Sequence, residues 1–315
     1  MATTSYESDY QELQAEYQKL QRNLAEVRKL QVVCKKKVDI VKKARTADRD
    51  SKSNETLKHQ TTDRQRELRD IEATLPRKNH WFLQLTLGGL DVTLLTKTDR
   101  HLYKQQYEDF KMWVTIVIGL FSFFNLIVYQ RLMDASFQFL LVWYYCTLTI
   151  REHILRQNGS EIRGWWVLHH YLSIVVSACI LIWPVDDTYQ MFRMNFMMFS
   201  LYISFVQFLQ YYYQVGTLYR LLTLGRVHEL DITRDGLRIK TWSDMKYLIP
   251  ALIIGYIWQY YLAYQLFSVW FDIAAGKAWQ IFVLSALFLI LGTGNCLTLA
   301  MTLRQKLIRD SVKLK

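Results

Sequence analysis

A chain of 315 residues with 39 Lys+Arg against 28 Asp+Glu, a net charge of +11 and 51% hydrophobic residues averages to a mean hydropathy of −0.01. The average suits a soluble enzyme only until it is divided: residues 1–111 hold 22 of the Lys+Arg and 17 of the Asp+Glu, while residues 112–315 carry apolar runs long enough to cross a bilayer. The basic excess borders those runs instead of covering one soluble face, which argues against nucleic acid as a partner, and four cysteines without short pair spacing (Cys34, Cys146, Cys179, Cys296) argue against a disulfide framework or a metal site.

The opening MATTSYESDYQELQ has no apolar core of the kind a secretory signal needs, so the N-terminal segment is expected to stay in the cytosol. From Leu13 onward, Leu13, Tyr17, Leu20, Leu24, Val27, Gln31, Cys34, Val38 and Val41 recur at alternating steps of four and three, the seam of a coiled coil. After the polar break DRDSKSNE, a weaker seam of Leu57, Thr61, Arg64, Leu68, Ile71 and Leu75 runs to Pro76, which ends it. Residues 1–78 therefore read as a coiled-coil helical hairpin, and its apolar stripe predicts self-association, because water disfavours such a stripe left bare.

Residues 79–111 follow. The stretch from Trp81 to Arg100 mixes apolar and polar residues around Gly88 and Gly89, too broken to span, and is expected to lie in the membrane interface anchored by Trp81. Six runs in residues 112–303 then approach the roughly 20 residues that about 30 Å of hydrocarbon requires: near 112–130, 135–151, 165–183, 196–219, 245–270 and 279–303. With a cytosolic N-terminus, the segments 151–164, 220–246 and the basic tail 304–315 face the cytosol and carry 3, 6 and 5 Lys/Arg, against one in each opposite loop, Arg131, Arg193 and Lys277. This positive-inside asymmetry puts both termini in the cytosol. The sequons at Asn54 and Asn158 then face the cytosol and are expected to stay unglycosylated.

Two constellations stand out. GWWVLHHYLS places Trp166, His169 and His170 on one helix face. Imidazoles in a membrane helix turn toward a polar cavity or bond a neighbouring helix, and both readings stay open. In SFVQFLQYYYQ, Gln207, Gln210 and Gln214 form a stripe whose amides need partners inside the bundle, either a cavity or another helix. Lys104, Arg151, Arg163, Arg220, Arg304 and Lys306 would ring a cytosolic mouth with positive charge, or serve topology and lipid phosphates. There is no Walker loop, GxSxG, CxxC or filter-like loop, and GTGN at 292–295 reads as close helix packing.

Taken together, the coiled coil, NGSEIRGWWVLHHYLS, SFVQFLQYYYQVGTLYRL and LGTGN resemble the transmembrane protein 120 family over essentially the whole chain. The resemblance implies an all-α membrane protein: a homodimer whose N-terminal coiled-coil helices precede a six-helix transmembrane barrel similar to very-long-chain fatty acid elongases. It implies coenzyme A, or acyl-CoA, in a cytosol-facing cavity and a role in lipid metabolism. The implied contacts are Trp166, His169 and His170; Gln210, Tyr213 and Gln214; Lys104 and Lys306 at phosphate oxygens; and Ser160 from the loop before the third span. Should acyl-CoA be turned over, His169 and His170 are the implied catalytic pair, although elongases carry HxxHH where Trp166 stands first here. The implied location is the endoplasmic reticulum or inner nuclear membrane, with the plasma membrane as the alternative. A mechanosensitive ion channel is the alternative function, and no residue pattern in the spans demands a pore.

Overall fold

The computed structural model describes residues 2–47, 68, 71, 75, 79–94, 96–160, 162–223, 247–272 and 279–313. The chain divides into two units, Met1–Asn79 with Asp91–Thr96, and His80–Leu90 with Lys97–Lys315.

The first unit is built on α1 (Ala2–Ala47), one unbroken helix of 46 residues. Its sequence is rich in Gln, Glu, Lys, Leu and Ala and has no Gly or Pro to interrupt it. Along the predicted seam, Leu13, Tyr17, Leu20 and Leu24 are each more than half exposed, whereas Val38 is buried. Most of the predicted second arm, Leu57 to Leu75, lies outside the described residues, as does Asn54.

Among the described residues, the second unit contains a short helix, α2 (Trp81–Leu87), and six long ones: α3 (Lys97–Ile127), α4 (Arg131–Gln157), α5 (Gly164–Leu181), α6 (Asp187–Thr223), α7 (Leu248–Asp272) and α8 (Trp279–Lys313). No strand occurs among the described residues. The six close into a ring in the order α3, α4, α5, α8, α7, α6 and back to α3, each packing on its two neighbours. Four of them are long and apolar enough to cross a membrane: Thr98–Ile127, Gly164–Leu181, Asp187–Gly216 and Trp279–Gln305. The other two of the six predicted spans form helices but fall short in apolar character. α4 turns Asp134, Gln138, Glu152 and His153 into the interior, and α7 turns Gln259 inward, so groups that the ring shelters lower these helices' mean hydropathy.

The helix ends follow local chemistry. Gly159, at φ 93°, closes α4 with the N–H of Ser160 donating to the Leu155 carbonyl at 3.0 Å, a left-handed turn that favours glycine. The Asp186 carboxylate accepts the Tyr189 backbone N–H at 2.7 Å and so opens α6. Two guanidiniums cap helix C-termini at the same end of the ring. Arg131 donates to the carbonyls of Leu181 and Trp183 at 2.7 and 2.9 Å, and Arg193 to those of Asn125 and Val128 at 2.7 and 3.1 Å. Arg193 also donates to the Asp134 carboxylate at 2.7 Å, both side chains almost wholly buried.

Above this ion pair, one half of the ring is filled. Trp183, Tyr189, Phe192, Phe196 and Phe288 are each at most 5% exposed, and the Phe192 and Phe288 rings meet across the lumen at 6.0 Å. α2 lies against the opposite half: Leu83 is fully buried and Phe82 packs on His153 and Tyr171 at 4.6 and 5.4 Å. Trp81 and Leu85, one turn apart, are 64% and 77% exposed.

Candidate ligand-binding cavity

The half of the ring opposite the aromatic filling encloses a cavity of about 280 Å³. Every long helix contributes to it: Lys104, Tyr107 and Lys111 from α3, Tyr145 and Glu152 from α4, Trp166, His169 and His170 from α5, Gln207, Gln210 and Gln214 from α6, Leu252 and Tyr256 from α7, and Thr298 and Thr302 from α8. These residues lie in the N-terminal halves of α3, α5 and α7 and the C-terminal halves of α4, α6 and α8, because the aromatic core occupies the other half. Apolar wall is supplied by Met112, Leu148, Leu155 and Leu299, which gives the apolar lining with few polar groups typical of small-molecule sites.

The histidine pair is held asymmetrically. His170 Nδ1 lies 3.0 Å from Glu152 Oε2, and the other carboxylate oxygen accepts the Tyr107 hydroxyl at 2.8 Å. Glu152 and Tyr107 are 3% and 5% exposed. With Glu152 ionised, both of its oxygens accept, and the contact then calls for the tautomer of His170 that carries a proton on Nδ1. The Tyr145 ring stacks on His170 at 6.0 Å. His169 packs edge-on to Trp165 and Trp166 at 6.3 and 5.9 Å, and its buried Nδ1 has no hydrogen-bond partner among the described residues.

The glutamine stripe satisfies both readings of it. All three side chains line the cavity, and two also bond α3: Gln207 accepts from Thr115 at 2.9 Å and Gln214 from Lys111 at 3.1 Å. Gln210 lines the wall between them. Of the basic residues expected at the mouth, Lys104 and Arg163 line the cavity. Arg163 reaches α8 through Thr302 at 2.8 Å and Gln305 at 3.0 Å, while Arg151 stacks over the Phe110 ring at 4.2 Å and Arg304 is exposed. The side chains of Tyr213, Arg220 and Lys306 lie outside the described residues.

Of the predicted contacts, the structure therefore brings Lys104, Trp166, His169, His170, Gln210 and Gln214 around one cavity. Ser160 is not part of its lining: it is buried, and its hydroxyl has no partner among the described residues. Glu152, Tyr107 and Lys111 are cavity residues that sequence reading passes over. Residues 151–164 read as a loop, but α4 continues to Gln157. Extending its inward series through Leu141, Tyr144 and Leu148 by one further turn lands on Glu152.

The GTGN motif supports the site from behind. A Cβ on Gly294 would fall inside the Trp165 indole, so only glycine admits the ring there. The indole N–H donates to Asn295 at 3.1 Å, and Asn295 donates in turn to Gln259 at 3.1 Å, tying α5, α8 and α7 together beside His169.

Comparison with known proteins identifies the family. The family model TMEM120A/B matches residues 1–310. The chain is similar to transmembrane protein 120B of Danio rerio, 42% identical over 99% of this chain and 96% of the relative. It is similar to transmembrane protein 120B of Homo sapiens, 41% identical over 98% and 95%, and to the transmembrane protein 120 homolog of Drosophila melanogaster, 43% identical over 84% and 68%. With a ring of six helices, four of them apolar enough to span, the chain belongs to the transmembrane protein 120 family of multi-pass membrane proteins.

Proposed function

We propose that this protein binds coenzyme A or an acyl-CoA in the cavity of its six-helix ring, in an elongase-like barrel whose cavity faces the cytosol, and that it serves lipid metabolism. The observation that carries the reading is the composition of the lining: Lys104 and Arg163, Lys111 with its partner Glu108 at 2.7 Å, and Trp166, the histidine pair, the glutamines and apolar side chains such as Met112, Leu148 and Leu252. Cations suit phosphate oxygens, aromatic and amide groups suit adenine and pantetheine, and the apolar part of the lining suits an acyl chain. Lys306 and Tyr213 are assigned to the same ligand from the family resemblance, as is Ser160. In this reading all six ring helices cross the membrane with both termini in the cytosol. The compartment is the endoplasmic reticulum or inner nuclear membrane, and the exposed seam of α1 pairs two copies into a homodimer.

Mass spectrometry of small molecules released on denaturing the detergent-purified protein tests the reading. Coenzyme A is expected in near-stoichiometric amount from wild type and in much reduced amount from Trp166→Ala and Lys306→Ala. Its absence from folded wild-type protein that has also been incubated with added coenzyme A refutes the reading. Stretch-gated conduction needs a continuous aqueous path, and the aromatic filling across the ring weighs against one. Stretch-evoked currents from purified protein in liposomes would restore that alternative.

A further inference from the structure

Two carboxylates line the cavity: Glu108 pairs with the Lys111 ammonium at 2.7 Å, whereas Glu152 is paired with an imidazole and not, among the described residues, with a lysine or arginine. It is anchored on both oxygens, by the Tyr107 hydroxyl at 2.8 Å and His170 Nδ1 at 3.0 Å. Burying a charge this far costs several kcal/mol unless it is fully bonded. What the arrangement secures is the orientation and tautomer of His170: with Nδ1–H committed to Glu152, Nε2 is left as the proton-accepting nitrogen on a ring that lines the cavity. A carboxylate behind an imidazole also stabilises the imidazolium that forms when Nε2 takes a proton. One residue away, His169, with Asn295 as a polar neighbour, keeps a buried Nδ1 that has no geometric hydrogen-bond partner among the described residues.

We propose that the Tyr107–Glu152–His170 chain makes His170 the general base for hydrolysis of an acyl-CoA thioester in this cavity, with Glu152 and Tyr107 as positioning residues. The inference rests on the coenzyme A reading above. His170 Nε2 takes a proton from a water molecule as its oxygen bonds to the thioester carbonyl carbon. His169, as the Nδ1–H tautomer, donates to the carbonyl oxygen on which charge gathers. The carbon–sulfur bond then breaks, the electron pair leaves on sulfur, and the imidazolium returns its proton to the thiolate. Acyl-CoA and water give a fatty acid and coenzyme A, with no oxidant or reductant needed.

The test uses the full chain in detergent with palmitoyl-CoA as probe, reading released coenzyme A and palmitate by mass spectrometry and coenzyme A affinity by calorimetry. Wild type is expected to release the two products in equal amounts. His170→Ala should lose on the order of 10²- to 10⁴-fold in kcat. Glu152→Gln, which keeps the shape but reverses the bonding at one oxygen, should lose on the order of 10⁴-fold in kcat, with KM and coenzyme A affinity little changed. Tyr107→Phe should lose about tenfold, and it decides the matter if Glu152→Gln elutes as aggregate. Wild type that binds coenzyme A but releases none above a protein-free control overturns the hydrolysis and leaves the binding reading standing. Wild type that binds no coenzyme A overturns the reading beneath it. A raised KM with unchanged kcat in Glu152→Gln, or rates equal to wild type in the variants, overturns the assigned roles.

Discussion

Replacing Arg193 by Met removes, in one substitution, the cation facing Asp134 and the cap on two α3 carbonyls. Asp134 is 2% exposed, and after the change its carboxylate keeps only the Tyr189 hydroxyl at 3.0 Å. Breaking a buried pair from one side costs about 3–5 kcal/mol, which for a unit of this size corresponds to a fall in Tm of roughly 6–20 °C. Asp134→Leu alone strands the guanidinium instead and should cost a similar amount, softened by its bonds to Asn125 and Val128. In the double variant neither charge is orphaned, so its loss should be smaller than the sum of the singles by about 1–3 kcal/mol. Thermal melting followed by fluorescence-detected size-exclusion chromatography gives all four corners of the cycle. Additive losses, or single variants within about 0.5 kcal/mol of wild type, would refute the claim that this pair locks α3, α4 and α6 together.

Gly294→Val should destabilise by about 1–3 kcal/mol through overpacking against Trp165, and Trp165→Ala should relieve the clash; melting of the double variant decides whether the indole is the obstacle. Asn158 is 4% exposed and its amide donates to the Ile154 carbonyl at 2.9 Å, so protein from mammalian cells should show no Asn158-dependent shift on deglycosidase treatment. A shift abolished by Asn158→Gln would invert the topology. Leu20→Glu with Leu24→Glu, on the exposed seam of α1, should weaken self-association as measured by light scattering of the detergent-solubilised protein. An unchanged dimer mass would move the pairing away from α1.

The helices themselves were legible because period and hydropathy are local properties: every long run in residues 112–303 became a ring helix. So was the wall formed by Trp166, His169 and His170, since three residues on one helix face need no tertiary information. Glu152 was hidden by a boundary error, because a charged Arg-Glu-His after an apolar run looks like a loop until the ring shelters it. The Asp134–Arg193 pair could not be read at all: its members stand 59 residues apart, and each alone looks like an ordinary loop-end charge. Gly294 fell between these cases. The spacing of GTGN indicated close packing, but only the fold names Trp165 as the neighbour that needs the room.

A ring packed with aromatic side chains in one half and hollow in the other offers a molecule no straight passage from end to end. If a ligand enters the hollow half from its own end of the ring, it leaves by the way it came, and arrival and departure compete for the same opening. A tightly held product would then block its own successor, and occupancy would track the ratio of spent to fresh molecules in the surrounding fluid more closely than the abundance of either. Such a chamber behaves as a gauge of composition even when it turns over slowly.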